Sequence, residues 1–305
     1  MSLVFTQILI VLLYVAVGFG AGKLGLIQPE QRKYLSGLCT NLILPFTVLS
    51  ATSQEVGGPE MAGIMIATGF MAAIYIASTL LTLTYHRATR APRPMAVAMT
   101  SLVTYPNCTF VGLPLCLALF GDRALVYNAA ALVSYNALFF TIQYSLYTGQ
   151  GMNLRNLITP PVVSTAALIA MLALKLHFPA PVQTICSGIG GMLTPLSLMI
   201  IGVMLSESKI AEVLREKRSY VAVLLRNLAV PLIAIPLLKL LPLEFDFRMC
   251  VLVFLACPCG TLTSIYAIKC DIEPEFSAHA VLLSTIFFAV TLPMILAIGQ
   301  ATLAL

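Results

Sequence analysis

Thr104-Tyr105-Pro106-Asn107-Cys108-Thr109-Phe110-Val111-Gly112-Leu113-Pro114 lies in the middle of an apolar segment and cannot run as one unbroken helix. Each proline removes a backbone donor, and its ring collides with the preceding turn. A second stretch, Ala256-Cys257-Pro258-Cys259-Gly260-Thr261-Leu262-Thr263-Ser264, repeats the pattern, with Pro258 following Pro106 by 152 residues. The surroundings decide what such breaks mean. Hydrophobic residues make up 59% of the 305 and charged residues only 10%. A soluble domain carries about 25% charged residues, so this chain cannot cover itself for water and its solvent is lipid. In lipid a freed peptide group costs several kcal/mol unless something polar meets it. Both breaks must therefore be buried in protein or line a cavity.

Working outward, ten apolar stretches are each near the roughly 20 residues that span a bilayer. They fall at 3–22, 34–53, 61–84, 95–119, 124–148, 159–177, 182–205, 219–239, 248–269 and 275–303. No basic region precedes the first, so it reads as a span rather than a cleaved signal peptide. No appended soluble domain is expected. The reading is one transmembrane domain over 1–305, all-α and polytopic.

Loops after odd-numbered spans hold twelve basic residues: Lys23, Arg32, Lys33, Arg87, Arg90, Arg93, Arg155, Lys209, Arg215, Lys217, Arg218 and Lys269. Loops after even-numbered spans hold four: Arg123, Lys175, Lys239 and Arg248. The bias places the odd loops in the cytoplasm and both termini outside. Basic residues spread over loops in this way also argue against nucleic-acid binding.

An internal repeat emerges from the prolines. Pro45 and Pro195 are 150 residues apart, and Pro106 and Pro258 are 152. Two five-span halves, about 1–150 and 156–305, must lie in opposite orientations because five is odd. Paired interrupted helices in an inverted repeat point to a transport site at the midplane.

Half-helix N-termini meeting there carry partial positive charge and unpaired amides, which suits a carboxylate. Asn107, Thr109, Thr261 and Thr263 are the expected neutral partners, with Tyr105, Pro106, Pro258 and Gly260 shaping the breaks. Asn41 and Asn136 are amides within spans and must face protein or a cavity; Gln143 is a third. Arg226 lies inside the eighth span, where it either snorkels or pairs with substrate or a carbonyl. His279 follows Glu275 by one turn and is the candidate proton site; His86 and His177 sit at helix ends facing water.

All twelve acidic residues fall in loops or near helix ends. Proton pumps keep an ionisable relay at the midplane, so an uncoupled carrier, or one coupled through neutral oxygens, is expected. The eight cysteines lie in or beside apolar segments with no disulfide or zinc spacing. No metal site, catalytic constellation or phosphate loop is present, so the reading is not an enzyme. The glycines at 18–22 and 188–191 lie in apolar helices and signify close packing.

One resemblance draws these features together. Asn107-x-Thr-Phe-Val-Gly-Leu-Pro-Leu115 followed by Leu119-Phe-Gly-Asp-Arg-Ala-Leu125 is similar to the auxin efflux carrier family, especially its bacterial permeases. Asn41-Leu-Ile-Leu-Pro45, Thr194-Pro-Leu-Ser-Leu-Met-Ile-Ile-Gly202 and Ala280-Val-Leu-Leu-Ser-Thr285 resemble further blocks in the same order. The family belongs with the bile-acid/sodium symporter-like superfamily. The resemblance implies ten helices as two inverted five-helix repeats, with broken helices 4 and 9 crossing. Helices 1, 2, 6 and 7 would form a scaffold, and 3–5 with 8–10 a mobile transport domain. It implies a small organic anion as substrate, such as malonate, malate or an auxin-like acid, and elevator-type alternating access in a cell (inner) membrane. Cys257-Pro-Cys-Gly260 departs from the family pattern.

Two rival readings follow. One is a sodium-coupled organic-anion symporter with Na⁺ on the polar oxygens of the breaks and no other cofactor. The other is a non-transporting sensor or lipid-binding protein on the same fold. The expected partners are the substrate and the bilayer, with a homodimer through the scaffold helices left open.

Overall fold

A computed structural model describes residues 2–54, 56–150, 158–207 and 210–304. Glu55, Arg155 and Lys209, which entered the charge readings, lie outside the described residues. The elements in chain order are α1 (Ser2–Lys23), α2 (Pro29–Leu38), α3 (Leu44–Ser50), α4 (Gly58–Ala88), α5 (Arg93–Thr104), α6 (Leu113–Phe120), α7 (Arg123–Leu138) and α8 (Tyr144–Thr148). They continue as α9 (Pro160–Ala173), α10 (Ala180–Gly190), α11 (Leu193–Glu207), α12 (Ile210–Arg215), α13 (Lys217–Leu224), α14 (Val230–Lys239), α15 (Phe245–Ala256), α16 (Thr261–Lys269) and α17 (Pro274–Leu303).

The protein is all-helical, and each of the ten apolar stretches is helical along most of its length. Among the described residues, six helical runs are long and apolar enough to cross a membrane: Glu30–Ser53, Gly58–Ala88, Arg123–Thr148, Ala180–Glu207, Lys217–Lys239 and Pro274–Leu303. Others are shorter, among them Cys108–Phe120 and Pro160–Ala173.

Several runs contain a wider, π-helical turn. These turns lie at Cys39–Ile43, Cys108–Gly112, Phe139–Gln143 and Leu225–Ala229. Three of them end two residues before a proline: Pro45, Pro114 and Pro231. The residue just before Pro45 or Pro231 donates five residues back, Leu44 N to Cys39 O and Val230 N to Leu225 O. Widening the turn moves the preceding carbonyls away from the proline ring, which has no hydrogen to give them. This is why Pro114, expected to help break the fourth span, sits inside a continuing helix. Only Pro106 interrupts that span.

The chain divides into two compact units. The first comprises 1–64, 109–132 and 158–208. Its tightest joint is α1 on α11. A Cβ built on Gly18 would lie 2.0 Å from Met199 O, and one on Gly202 would lie 2.0 Å from Val15 O. Gly22 faces the Ser206 side chain, whose Oγ would lie 2.0 Å from a Cβ there. Small residues four apart on each helix let the backbones touch, the usual device where lipid supplies no hydrophobic drive. Gly190 similarly admits Thr47, whose hydroxyl donates to Gly190 O at 3.0 Å. The end of α3 is tied down by Gln183 Nε2 to Ser50 O at 2.7 Å and by His177 Nδ1 against Thr52 O at 2.6 Å. His177 therefore has a structural partner, where the sequence suggested only water.

The second unit comprises 65–108, 133–157 and 209–305. Its centre is α15, buried from Met249 to Ala256 and flanked by α14 and α17. A helix enclosed on every side must be apolar all round, and Met249-Cys-Val-Leu-Val-Phe-Leu-Ala256 is so. At one end of α13, Arg218 makes a double hydrogen bond to Glu216, reaches Glu273 at 3.4 Å and lies over the Phe276 ring. The bond from Arg218 is the main reason the Glu216 carboxyl titrates below its usual range, with His279 adding to it from α17.

Candidate functional site

The two interrupted spans meet within the second unit. A residue preceding proline is pushed out of the helical region towards extended backbone. Tyr105 takes φ −103°, ψ 109° and Cys257 takes φ −56°, ψ 149°. Two short extended pieces result, and they pair. Asn107 N donates to Pro258 O at 2.8 Å and Gly260 N to Tyr105 O at 2.9 Å, an antiparallel bridge centred on Pro106 and Cys259. Cys259 N donates to Ser284 Oγ on α17 at 3.0 Å. The crossing thus satisfies several of the peptide groups that the prolines expose.

Gly260 fits this contact tightly. A Cβ there would lie 3.0 Å from Tyr105 O and 3.2 Å from Pro106 O, both backbone atoms of the crossing. Gly260→Ala should lose about 1–3 kcal/mol through overpacking, read as a lowered thermal midpoint of the purified protein.

The C-terminal carbonyls of α5 and α15 are met by a side chain from α13–α14. Arg226 is fully buried. Its Nε donates to Cys257 O at 3.2 Å, and Nη1 to Val103 O at 3.0 Å and Thr104 O at 3.1 Å; Nη2 binds Leu255 O. Arg226 does not snorkel; its planar fork joins both half-helices, and the cation complements the negative ends of two helix dipoles. No carboxylate among the described residues forms an ion pair with it. The adjoining Asn227 donates from Nδ2 to Ser284 O at 2.8 Å.

Of the expected site residues, Tyr105, Pro106, Asn107, Pro258, Gly260, Thr263 and Arg226 come together at this knot. Thr261 opens α16, where the Thr263 amide donates to Gly260 O at 3.1 Å. The Thr263 hydroxyl turns back to Gly260 O, and Asn107 is buried with 4% exposure. The Tyr105 ring lies in an aromatic cluster, 5.5 Å from Tyr135 and 5.1 Å from Phe139. Asn136 is buried next to Tyr135.

The others fall elsewhere. Asn41 is exposed on the π-helical turn of the first unit, and Thr109 begins a segment grouped with that unit. His279 is half-buried on α17 near Glu216, with no bond to Glu275 among the described residues.

Sequence reasoning missed Asn227 and Ser284. The signal for Asn227 was present: Arg226-Asn227 is a polar pair set between Leu225 and Leu228.

A sequence model of one family, described as membrane transport protein, matches the chain twice, over residues 3–156 and 149–296. The chain belongs to this membrane transport protein family. It is the family of the auxin efflux carriers, to which the blocks around Asn107 and Pro195 pointed. No curated protein matches the chain. The transporter's crossing lies within the matched residues, as do Arg226 and both prolines.

Proposed function

We propose that this transporter carries a small organic anion, a mono- or dicarboxylate such as malonate, malate or an auxin-like acid, bound beside the crossing. The observation that carries the reading is Arg226: a full positive charge, wholly buried, with only carbonyl oxygens as its bonded partners among the described residues. The N-terminus of α16 adds partial positive charge beside it. An anion is the guest such a field favours, and Asn107 and Thr261 can hydrogen-bond it.

The family match repeated over each half supports ten helices in an inverted five-helix repeat. The division into two contact-dense units fits elevator-type alternating access, with the second unit as the mobile body. The basic bias of the odd loops supports an inner-membrane placement with both termini outside. Export of a monoanion then gains about 2.3 kcal/mol per 100 mV of inside-negative potential, so it needs no co-ion.

Thermal-shift titration of the purified protein with mono- and dicarboxylates tests the reading. At least one should raise the unfolding midpoint saturably. Asn107→Ala should weaken that ligand about tenfold, the worth of one hydrogen bond to a charged group. If no carboxylate shifts the midpoint, or Asn107→Ala and Thr261→Ala leave its affinity unchanged, the proposed site is wrong.

A further inference from the structure

The proposed anion site leaves the cysteines of the crossing without a use. Their placement follows from its register. Counting outward from the Pro106–Cys259 bridge, Asn107 stands opposite Pro258, and Cys108 opposite Cys257. Facing residues of an antiparallel pair have Cα atoms about 4.5–5.5 Å apart. A tight turn from Cys108 N to Pro106 O, at 3.0 Å, ends the pairing there. One cysteine from each broken span is thus brought face to face.

Both side chains are buried. Cys108 Sγ lies 4.0 Å from Tyr75 Oη, and the Cys257 thiol donates to Val253 O at 3.2 Å. Thiols are weak donors and acceptors, so neither contact holds its sulfur firmly. Cys108, Cys257 and the Arg226 guanidinium lie within electrostatic range of one another, and Cys250 is in range of both thiols. Among the described residues, no group of three or more histidines, cysteines or carboxylates is placed to hold a metal. Four-coordinate zinc therefore has no ligand set there. A linear site needs only two thiolates.

We propose that Cys108 and Cys257 bind one soft monovalent cation, Cu(I) in the first instance, between the two broken spans. Thiolate ligands select Cu(I) over hard cations, and Cu(I) accepts two sulfurs in a line. Coordination deprotonates the thiols. Two S–H bonds give way to two Cu–S bonds, two protons leave to the buffer, and no atom changes oxidation state. The bis-thiolate complex carries one net negative charge, which is costly in a protein interior unless paired. Arg226 supplies the matching positive charge, and no carboxylate among the described residues forms an ion pair with it. The bound ion staples the two spans together and takes up the field that the transported anion would use. That competition rests on the carrier reading above; metal binding itself does not.

The test uses purified full-length protein, reduced and free of oxygen, titrated with the bicinchoninate complex of Cu(I), whose colour fades as the metal leaves it. The wild type should take up one equivalent, release two protons and unfold at a higher temperature. Cys108→Ser and Cys257→Ser should each abolish that uptake. Cys270→Ser, which removes the partly exposed thiol of the second unit, should bind as the wild type does. No uptake by the wild type, or uptake unchanged in either of the first two variants, would overturn the site. Should those variants fail to fold, X-ray absorption of the copper-loaded wild type decides. Two sulfur ligands support the site, and a set containing nitrogen or oxygen ends it.

Carboxylate titration separates the two proposals. A carboxylate that raises the midpoint should bind about tenfold more weakly to the copper-loaded protein, an ordinary coupling between two sites. Equal affinity with and without copper ends the competition and leaves the metal site. Absence of any carboxylate response, beside intact copper uptake, ends the carrier reading alone.

Discussion

Replacing Arg226 with methionine should loosen the crossing at a cost of about 3–5 kcal/mol, from several buried carbonyls left unpaired at about 1–3 kcal/mol each. Methionine has a comparable length and no donors. Val103 O, Thr104 O, Leu255 O and Cys257 O would all lose the same partner. Each is a C-terminal carbonyl that its own helix cannot satisfy, and water does not reach it. A buried acceptor left unpaired costs about 1–3 kcal/mol. The four losses are not additive, because α5 and α15 can relax once the staple has gone. Arg226→Lys keeps the charge but gathers its donors at one point, so it should recover part of the stability. The measurement is thermal unfolding in detergent, with methionine lowest and lysine between. Equal midpoints for all three proteins would show that the staple contributes nothing.

Gly202→Ala should destabilise the first unit by about 3 kcal/mol or more. The added methyl would lie 2.0 Å from Val15 O and 2.6 Å from Phe19 N, both backbone atoms of α1. Neither can swing aside as a side chain could. The helices would have to part by roughly 1 Å or more to restore ordinary van der Waals separation, opening the contact of Gly22 with Ser206 as well. Overpacking alone costs about 1–3 kcal/mol, and lost contacts along the joint add to it. Gly188→Ala is the control, since a Cβ there meets nothing within 4 Å. The lowered midpoint should appear in the first variant and not the second.

Much of the crossing was legible because its cause is local. Pro106 and Pro258 lack a hydrogen wherever they stand, and Tyr105 and Cys257 are driven extended by the ring that follows them. Of the glycines read as packing sites, Gly18, Gly22 and Gly190 do meet a neighbouring helix, whereas a Cβ on Gly20 or Gly188 would meet nothing within 4 Å. Arg226 was visible as an anomaly, but its role was not. Whether it met lipid headgroups, substrate or carbonyls depended on where helices distant in sequence had been packed. Pro114 misled because a widened turn absorbs it, and such a turn leaves no mark in composition. Gln143 and Val97 are 46 residues apart in the chain, and only the packing of α7–α8 on α5 lets the amide reach Val97 O.

Composition and proline chemistry by themselves determined that this chain lives in lipid and that two of its spans are interrupted. Those properties belong to single residues and short windows, so they hold in any arrangement of the helices. The tertiary structure decided who satisfies the exposed peptide groups: each other across Pro106 and Cys259, and Arg226 at the two helix ends. It also decided that Asn41 stands in a different unit from Asn107. The physical reason is range. A backbone break is set within a few residues, whereas a buried partner is chosen by packing between segments 31 residues apart, as with Cys257, or 123, as with Val103.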